Sequence, residues 1–209
     1  MRPTSRTKPN KSLNKQPLAV AVTGGIGAGK SEALAAFARH GAATISSDEV
    51  VHELYRDDDV RAALWDRYGD GIFDGDQVIR AALGAIVFAD RGELAWLECL
   101  LHPKVMARTE AWRQELAALP DPPALAVNEV PLLYETGSED RFDAVVVITA
   151  PAELRAERAG ERLDDREERL LSDDVKAGRA DFSFVNDGSL ADLEAFVLDV
   201  MRTLDRQQK

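Results

Sequence analysis

The segment GGIGAGKS places Gly24, Gly29, Lys30 and Ser31 at the spacing GxxxxGK[ST], and those residue types suit an anion. Glycines let successive backbone N–H groups curl round a phosphate without Cβ obstruction, and a helix opening behind them adds partial positive charge. Lys30 would reach β and γ phosphates, and the Ser31 hydroxyl would hold Mg²⁺. Gly25, Gly27, Ala28, Gly29, Lys30, Ser31 and Glu32 are therefore the candidate nucleotide-binding residues. Two acids stand where such a loop could use them. Asp48 could take a proton from an attacking hydroxyl or cap a helix starting at Glu49, and both readings stay open. Glu129 could complete the Mg²⁺ shell or accept a hydrogen bond from a neighbouring element.

Elements of the right kind precede and follow these residues. A β-rich run, LAVAVT, leads into the loop, and Leu34, Phe37 and Ala38 give the helix behind it an apolar stripe that stops at Gly41. ATIS, residues 43–46, reads as a short buried strand that delivers Asp48 to the carboxyl edge of a parallel sheet, where ligands sit. Residues 124–135 hold a strand ending at Glu129, with Pro131 stopping its pairing; 143–149 and 181–186 read as two further strands. Ser189 and Asp192 read as a capping box for a last helix with Leu193, Phe196, Val197, Val200 and Leu204 inside. Residues 49–119 read as helical without a strand pattern; Asp74 and Gly75 mark a turn, and His102, before Pro103, marks a helix start. Arg155, Arg158, Arg162, Arg166 and Arg169 recur at helical intervals, so one face carries five like charges, an arrangement that favours an anionic ligand over a merely solvated helix. Alternating strands and helices predict an α/β fold: a five-stranded parallel sheet covered on both faces.

A chain of 209 residues with 45% hydrophobic content can bury one substantial core. The net charge is −11, and residues 1–16 carry five bases and no acid, leaving −16 for the rest. An acidic body argues against nucleic acid as a partner, the basic tail reads as disordered, and no apolar run is long enough for a bilayer. The expected location is cytoplasmic. Cys99, the single cysteine, sits among Leu97, Leu100 and Leu101 and reads as a small buried hydrophobe.

The chain from about Ala19 to the last helix resembles the dephospho-CoA kinase family. The resemblance rests on VTGGIGAGKS, Asp48 before a helix, the pattern Asp74, Gly75, Arg80, Val87, Phe88, then LHPKV, EVPLLYE, the Ala150–Pro151 pair, and ADF with NDGS near the end. It implies ATP-dependent transfer of a phosphoryl group to the ribose 3′-hydroxyl of dephospho-CoA by a protein with the nucleoside-monophosphate-kinase type of P-loop fold. By that resemblance Asp48 is the base, Lys30, Arg158 and Arg162 act at the phosphates, Arg80, His102 and Glu135 bind the acceptor, and Ser31 and Glu129 serve Mg²⁺. The implied division is a basic tail (1–16), a nucleotide-binding core (17–48, 120–154, 181–209), a helical substrate domain (49–119) and a lid (155–180), working as a monomer or weak homo-oligomer. Three departures stand out: Glu32 where the family usually has Thr or Ser, Ser46 for a frequent aspartate, and a shorter lid between Arg162 and Lys176. A kinase for a nucleoside, shikimate or a sugar acid is the alternative within the class. A nucleotide switch would need NKxD, and neither NK supplies it: Asn10 and Lys11 continue as Ser12 and Leu13, and Asn14 and Lys15 as Gln16 and Pro17.

Overall fold

The computed structural model describes residues 16–159 and 171–207. The basic tail, Arg162, Arg166, Arg169 and the shortened part of the lid lie outside the described residues, apart from Gln16.

Strands β1 (Leu18–Thr23), β2 (Ala43–Ser46), β5 (Leu125–Glu129), β6 (Ala144–Thr149) and β7 (Phe182–Val185) form one parallel sheet in the order β2-β5-β1-β6-β7. Up to their carboxyl ends, where Thr23, Asn128, Glu129 and Thr149 lie, the three central strands are apolar on both faces because both sides are covered, and every residue of β5 and β6 is buried. Register decides where the site lies. Val22 of β1 and Ser46 of β2 both pair with Glu129 of β5, so three strands end level and release their following residues at one edge.

Helix α1 (Lys30–Arg39) packs against the sheet through Ala33, Ala36 and Phe37. Its end is a Schellman turn: Ala42 N–H reaches the Phe37 carbonyl at 3.1 Å and Gly41 N–H the Ala38 carbonyl at 3.0 Å, with Gly41 at φ 89°. Phe37 is fully buried, and truncating it to alanine would cost about 3–5 kcal/mol. Helix α8 (Leu190–Gln207) lays Leu193, Val197, Val200 and Leu204 on the same core. Its capping box forms as expected, Ser189 N–H donating to Asp192 Oδ2 at 2.9 Å and Asp192 N–H to Ser189 Oγ at 3.3 Å.

Between β2 and β5 the chain builds a second core. Helices α2 (Ser47–Leu54), α3 (Asp58–Tyr68), α4 (Arg80–Ala89) and α5 (Arg91–Ala117) bury Val50, Leu54, Val60, Leu64, Leu83, Val87, Leu97 and Leu101 together. Four sequence expectations are corrected here. The insert does contain strands, β3 (Phe73–Asp74) paired antiparallel with β4 (Gln77–Val78), too short to leave an alternating pattern. His102 is not at a helix start: α5 runs through Pro103, because the packing of Leu97, Leu101 and Thr109 outweighs the one backbone bond that proline removes. Cys99 is exposed rather than buried, since two residues beyond Leu97 is about 200° round the helix, on the face opposite Leu97 and Leu101. Helix α2 starts at Ser47 and not Glu49, so Asp48 lies inside its first turn instead of capping it.

Helices α6 (Ala152–Ala159) and α7 (Asp173–Arg179) follow β6 and precede β7 in the chain. Among the described residues no helix is long and apolar enough to cross a membrane.

Candidate active site

Three segments leave the level strand ends together. After β1 comes the glycine loop, after β2 the first turn of α2 with Asp48, and at the end of β5 sits Glu129. The loop is pressed against β6: a Cβ on Gly24 (φ 148°) would lie 1.9 Å from the Ile148 carbonyl oxygen, so no other residue fits. Lys30 folds over the loop and donates from Nζ to the Gly25 carbonyl at 2.9 Å. Burial lowers the proton affinity of its ammonium, an effect that Glu129 and Asp48 oppose. A lysine held partly desolvated beside two acids is a cation that gains from an arriving polyphosphate.

Ser31 Oγ donates to Glu129 Oε2 at 3.4 Å. Glu129 is 6% exposed, and burial first, then the charge of Asp48, pushes its carboxyl up, while Lys30 and the Ser31 hydroxyl pull it down. A hydroxyl and a buried carboxylate side by side are hard oxygen donors, the set a small divalent cation shares with phosphate and water, so these residues fit Mg²⁺. Asp48 is exposed, in the first turn of α2 directly beyond β2, and it lies near enough to Lys30 and Glu129 for both to feel its charge, so it stands at the same sheet edge as the phosphate loop.

Glu32 lies in the first turn of α1, but its carboxylate accepts from Arg39 Nη2 at 3.0 Å, two turns further on, where Arg39 also pairs with Glu194 of α8. The added negative charge is thus answered on the helix itself. Gly25, Gly27, Ala28 and Gly29 make up the loop, and the first turn of α6 lies against it: Arg155 Nη1 is 2.6 Å from where a Cβ on Gly25 would be, and Arg155 Nε is 3.8 Å from Asp173 Oδ2. Of the two arginines of the stripe among the described residues, Arg155 lies over the loop, while Arg158 Nη1 donates to the Asn186 carbonyl at 3.1 Å.

On the insert side, Arg80 opens α4 and its Nη1 rests against the His52 ring, 2.6 Å from Nε2. His52 is one helical turn beyond Asp48 on α2, so Arg80 is brought to the helix that carries the proposed base. His102 is half-buried in the middle of α5. Glu135 turns to the lid side: its Oε1 accepts the Leu171 N–H at 3.0 Å and lies 2.8 Å from the ammonium of Lys176, which is fully buried. Sequence reasoning missed His52, Asp173, Lys176 and a role for Asn186. The i, i+4 relation of Asp48 and His52 was the one readable signal; the rest meet partners between 18 and 158 residues away in the chain, Arg155 with Asp173 and Asn186 with Ala28.

A glycine loop with lysine and hydroxyl at the carboxyl edge of a five-stranded parallel sheet, with an acid across the crevice, defines a P-loop kinase. Within that class the chain belongs to the dephospho-CoA kinase family, whose sequence model matches residues 18–192. It is 34% identical to the dephospho-CoA kinase of Thermobifida fusca over 199 residues, covering 91% of this chain and 98% of that one. With the dephospho-CoA kinase of Deinococcus radiodurans identity is 35% over 204 residues, covering 94% and 97%. Among solved structures, a Thermus thermophilus protein superimposes with a TM-score of 0.72 at 29% identity, over 90% of this chain and 97% of its own. The dephospho-CoA kinase from Campylobacter jejuni shares the fold with a TM-score of 0.68 at 24% identity, over 91% of this chain and 98% of that one.

Proposed function

We propose that the crevice holds ATP on residues 24–31 and transfers its γ-phosphoryl group to the ribose 3′-hydroxyl of dephospho-CoA, giving coenzyme A and ADP, the last step of coenzyme A synthesis. The observation that carries this reading is geometric: the glycine loop with Lys30, Glu129 bonded by Ser31, and the turn bearing Asp48 all leave strands that end level at one sheet edge. Asp48 accepts the proton as the O–H bond of the acceptor breaks. A new O–P bond forms on the γ-phosphorus while the bond to the β-phosphate oxygen breaks, and that electron pair leaves with ADP. Lys30 neutralises charge at the β and γ phosphates, and the loop amides hold the chain of phosphates in line for attack. Ser31 and Glu129 would hold Mg²⁺, which when bound supplies further charge compensation at the phosphates.

Arg80, steadied by His52, serves the acceptor's anionic groups, and the family pattern adds His102 and Glu135 to the acceptor-binding residues, Glu135 from the side of Leu171 and Lys176 rather than from the insert. Arg158 and Arg162 act from the lid, with Arg155 placed over the loop. The acidic body supports a protein working without nucleic acid, and on this reading it acts in the cytoplasm as a monomer or weak homo-oligomer.

Incubating the protein with ATP, Mg²⁺ and a panel of acceptors, and reading products by mass spectrometry, tests the assignment. Dephospho-CoA should gain one phosphoryl group. Phosphorylation of a nucleoside, shikimate or a sugar acid with dephospho-CoA untouched would replace the acceptor but keep the kinase.

A further inference from the structure

A trans peptide is planar, so whatever holds a carbonyl also fixes the direction of the next residue's N–H, which points the opposite way. In the phosphate loop this matters most between Ala28 and Gly29. Gly29 sits at φ 100°, and as a glycine it offers little resistance to rotation of the peptide on its N-terminal side. Something outside the loop has to choose the orientation.

Asn186, 6% exposed at the end of β7, is placed to do so. Its Nδ2 donates to the Ala28 carbonyl at 2.9 Å. Its own N–H donates to the Thr149 carbonyl of β6 at 2.7 Å, which anchors it to the sheet. The amide occupies the space that a side chain at position 29 would need, since a Cβ on Gly29 would lie 2.3 Å from Asn186 Nδ2. From the other side, Arg158 of α6 donates to the Asn186 carbonyl at 3.1 Å. One buried residue thus touches the phosphate loop, the sheet and the helix leading to the lid.

We propose that Asn186 is a positioning residue for the nucleotide's phosphates: by gripping the Ala28 carbonyl from behind, it keeps the Gly29 N–H turned to the anion. The requirement for glycine at 29 then has two sources, the left-handed backbone and the amide packed against it. Asn186 works through the loop and does not touch the reacting atoms.

The inference rests on the ATP-binding reading, and the test separates the two. Binding of ATP and of inorganic tripolyphosphate, which has no base or sugar, is measured by calorimetry for the wild type, Asn186→Asp and Asn186→Ala, alongside KM for each substrate. Asn186→Asp keeps size and shape but sets a carboxylate against the Ala28 carbonyl. It should weaken both ATP and tripolyphosphate by a similar factor of about tenfold or more, the effect of one hydrogen bond turned to repulsion. KM for dephospho-CoA should stay unchanged, and Asn186→Ala should fall between wild type and the aspartate variant. Loss of ATP binding with tripolyphosphate binding intact would place Asn186 at the base and overturn the proposal. So would wild-type affinities in Asn186→Asp, or loss of the folded circular dichroism signal in both variants, which would make the residue purely structural. A wild type that binds neither ligand would instead sink the nucleotide reading itself.

Discussion

The phosphate loop and the helical insert proposed to bind the acceptor are built by different means. At the phosphate end the backbone is wedged among buried neighbours: Gly24 against the Ile148 carbonyl, Gly29 against Asn186, Glu129 at the tip of a fully buried strand. At the proposed acceptor end Arg80 and His52 meet on an exposed surface, carried by helices with a core of their own. Every nucleoside triphosphate presents the same phosphate chain, so a rigid cradle of amides can be fixed once. An acceptor is recognised by longer side chains, on a body that can adjust without disturbing the sheet.

Four substitutions would break or sharpen that contrast. The largest effect is expected from Lys30→Ala, which should lower kcat on the order of a hundredfold or more, equivalent to about 3 kcal/mol of transition-state stabilisation. Near-normal turnover in a steady-state assay would remove Lys30 from the chemistry. Asp48→Asn should cut kcat by about a hundredfold while leaving KM for both substrates close to wild type, the pattern of a group needed only as the proton moves. A raised KM with normal kcat would make Asp48 a binding residue instead. Arg80→Ala should raise KM for dephospho-CoA by about tenfold and leave ATP binding unchanged, as one lost charge-assisted contact requires. An equal loss for ATP would erase the distinction between the two ends.

The smallest effect concerns the insert's stability. Glu93 accepts from Arg67 at 2.6 Å and from Tyr68 at 2.7 Å, and these bonds hold its carboxyl below the ordinary glutamate range. A depressed folded-state value means the contribution is present above the ordinary carboxylate range and is lost as pH falls through the folded-state range. Glu93→Gln should therefore melt slightly lower than wild type at neutral pH, with the gap closing on acidification. A gap that persists at low pH would assign the effect to packing.

Much of the nucleotide side was readable because it is local. The loop, its lysine and hydroxyl, and the strand and helix that frame it are contiguous in sequence, and β2 was expected at the residues where it occurs. The insert was harder to read. Pro103 marks a break by local rule, yet α5 continues because tertiary packing overrides it, and Cys99 among leucines looks buried until the helix phase is fixed. Glu32 beside the nucleotide loop looked unfavourable until Arg39 was seen to answer its charge.

From the amino-acid sequence alone came the class of chemistry, the family resemblance and the parallel α/β plan, because short-range spacing and hydrophobic period determine them. Only the tertiary structure decided that Ser31 bonds Glu129 across two strands, that Arg155 lies over the loop while Arg158 rests on Asn186, and that Glu135 is tied to the buried Lys176. Those contacts join residues far apart along the chain, and strand register and packing, which set them, leave no periodic trace in the sequence that encodes them.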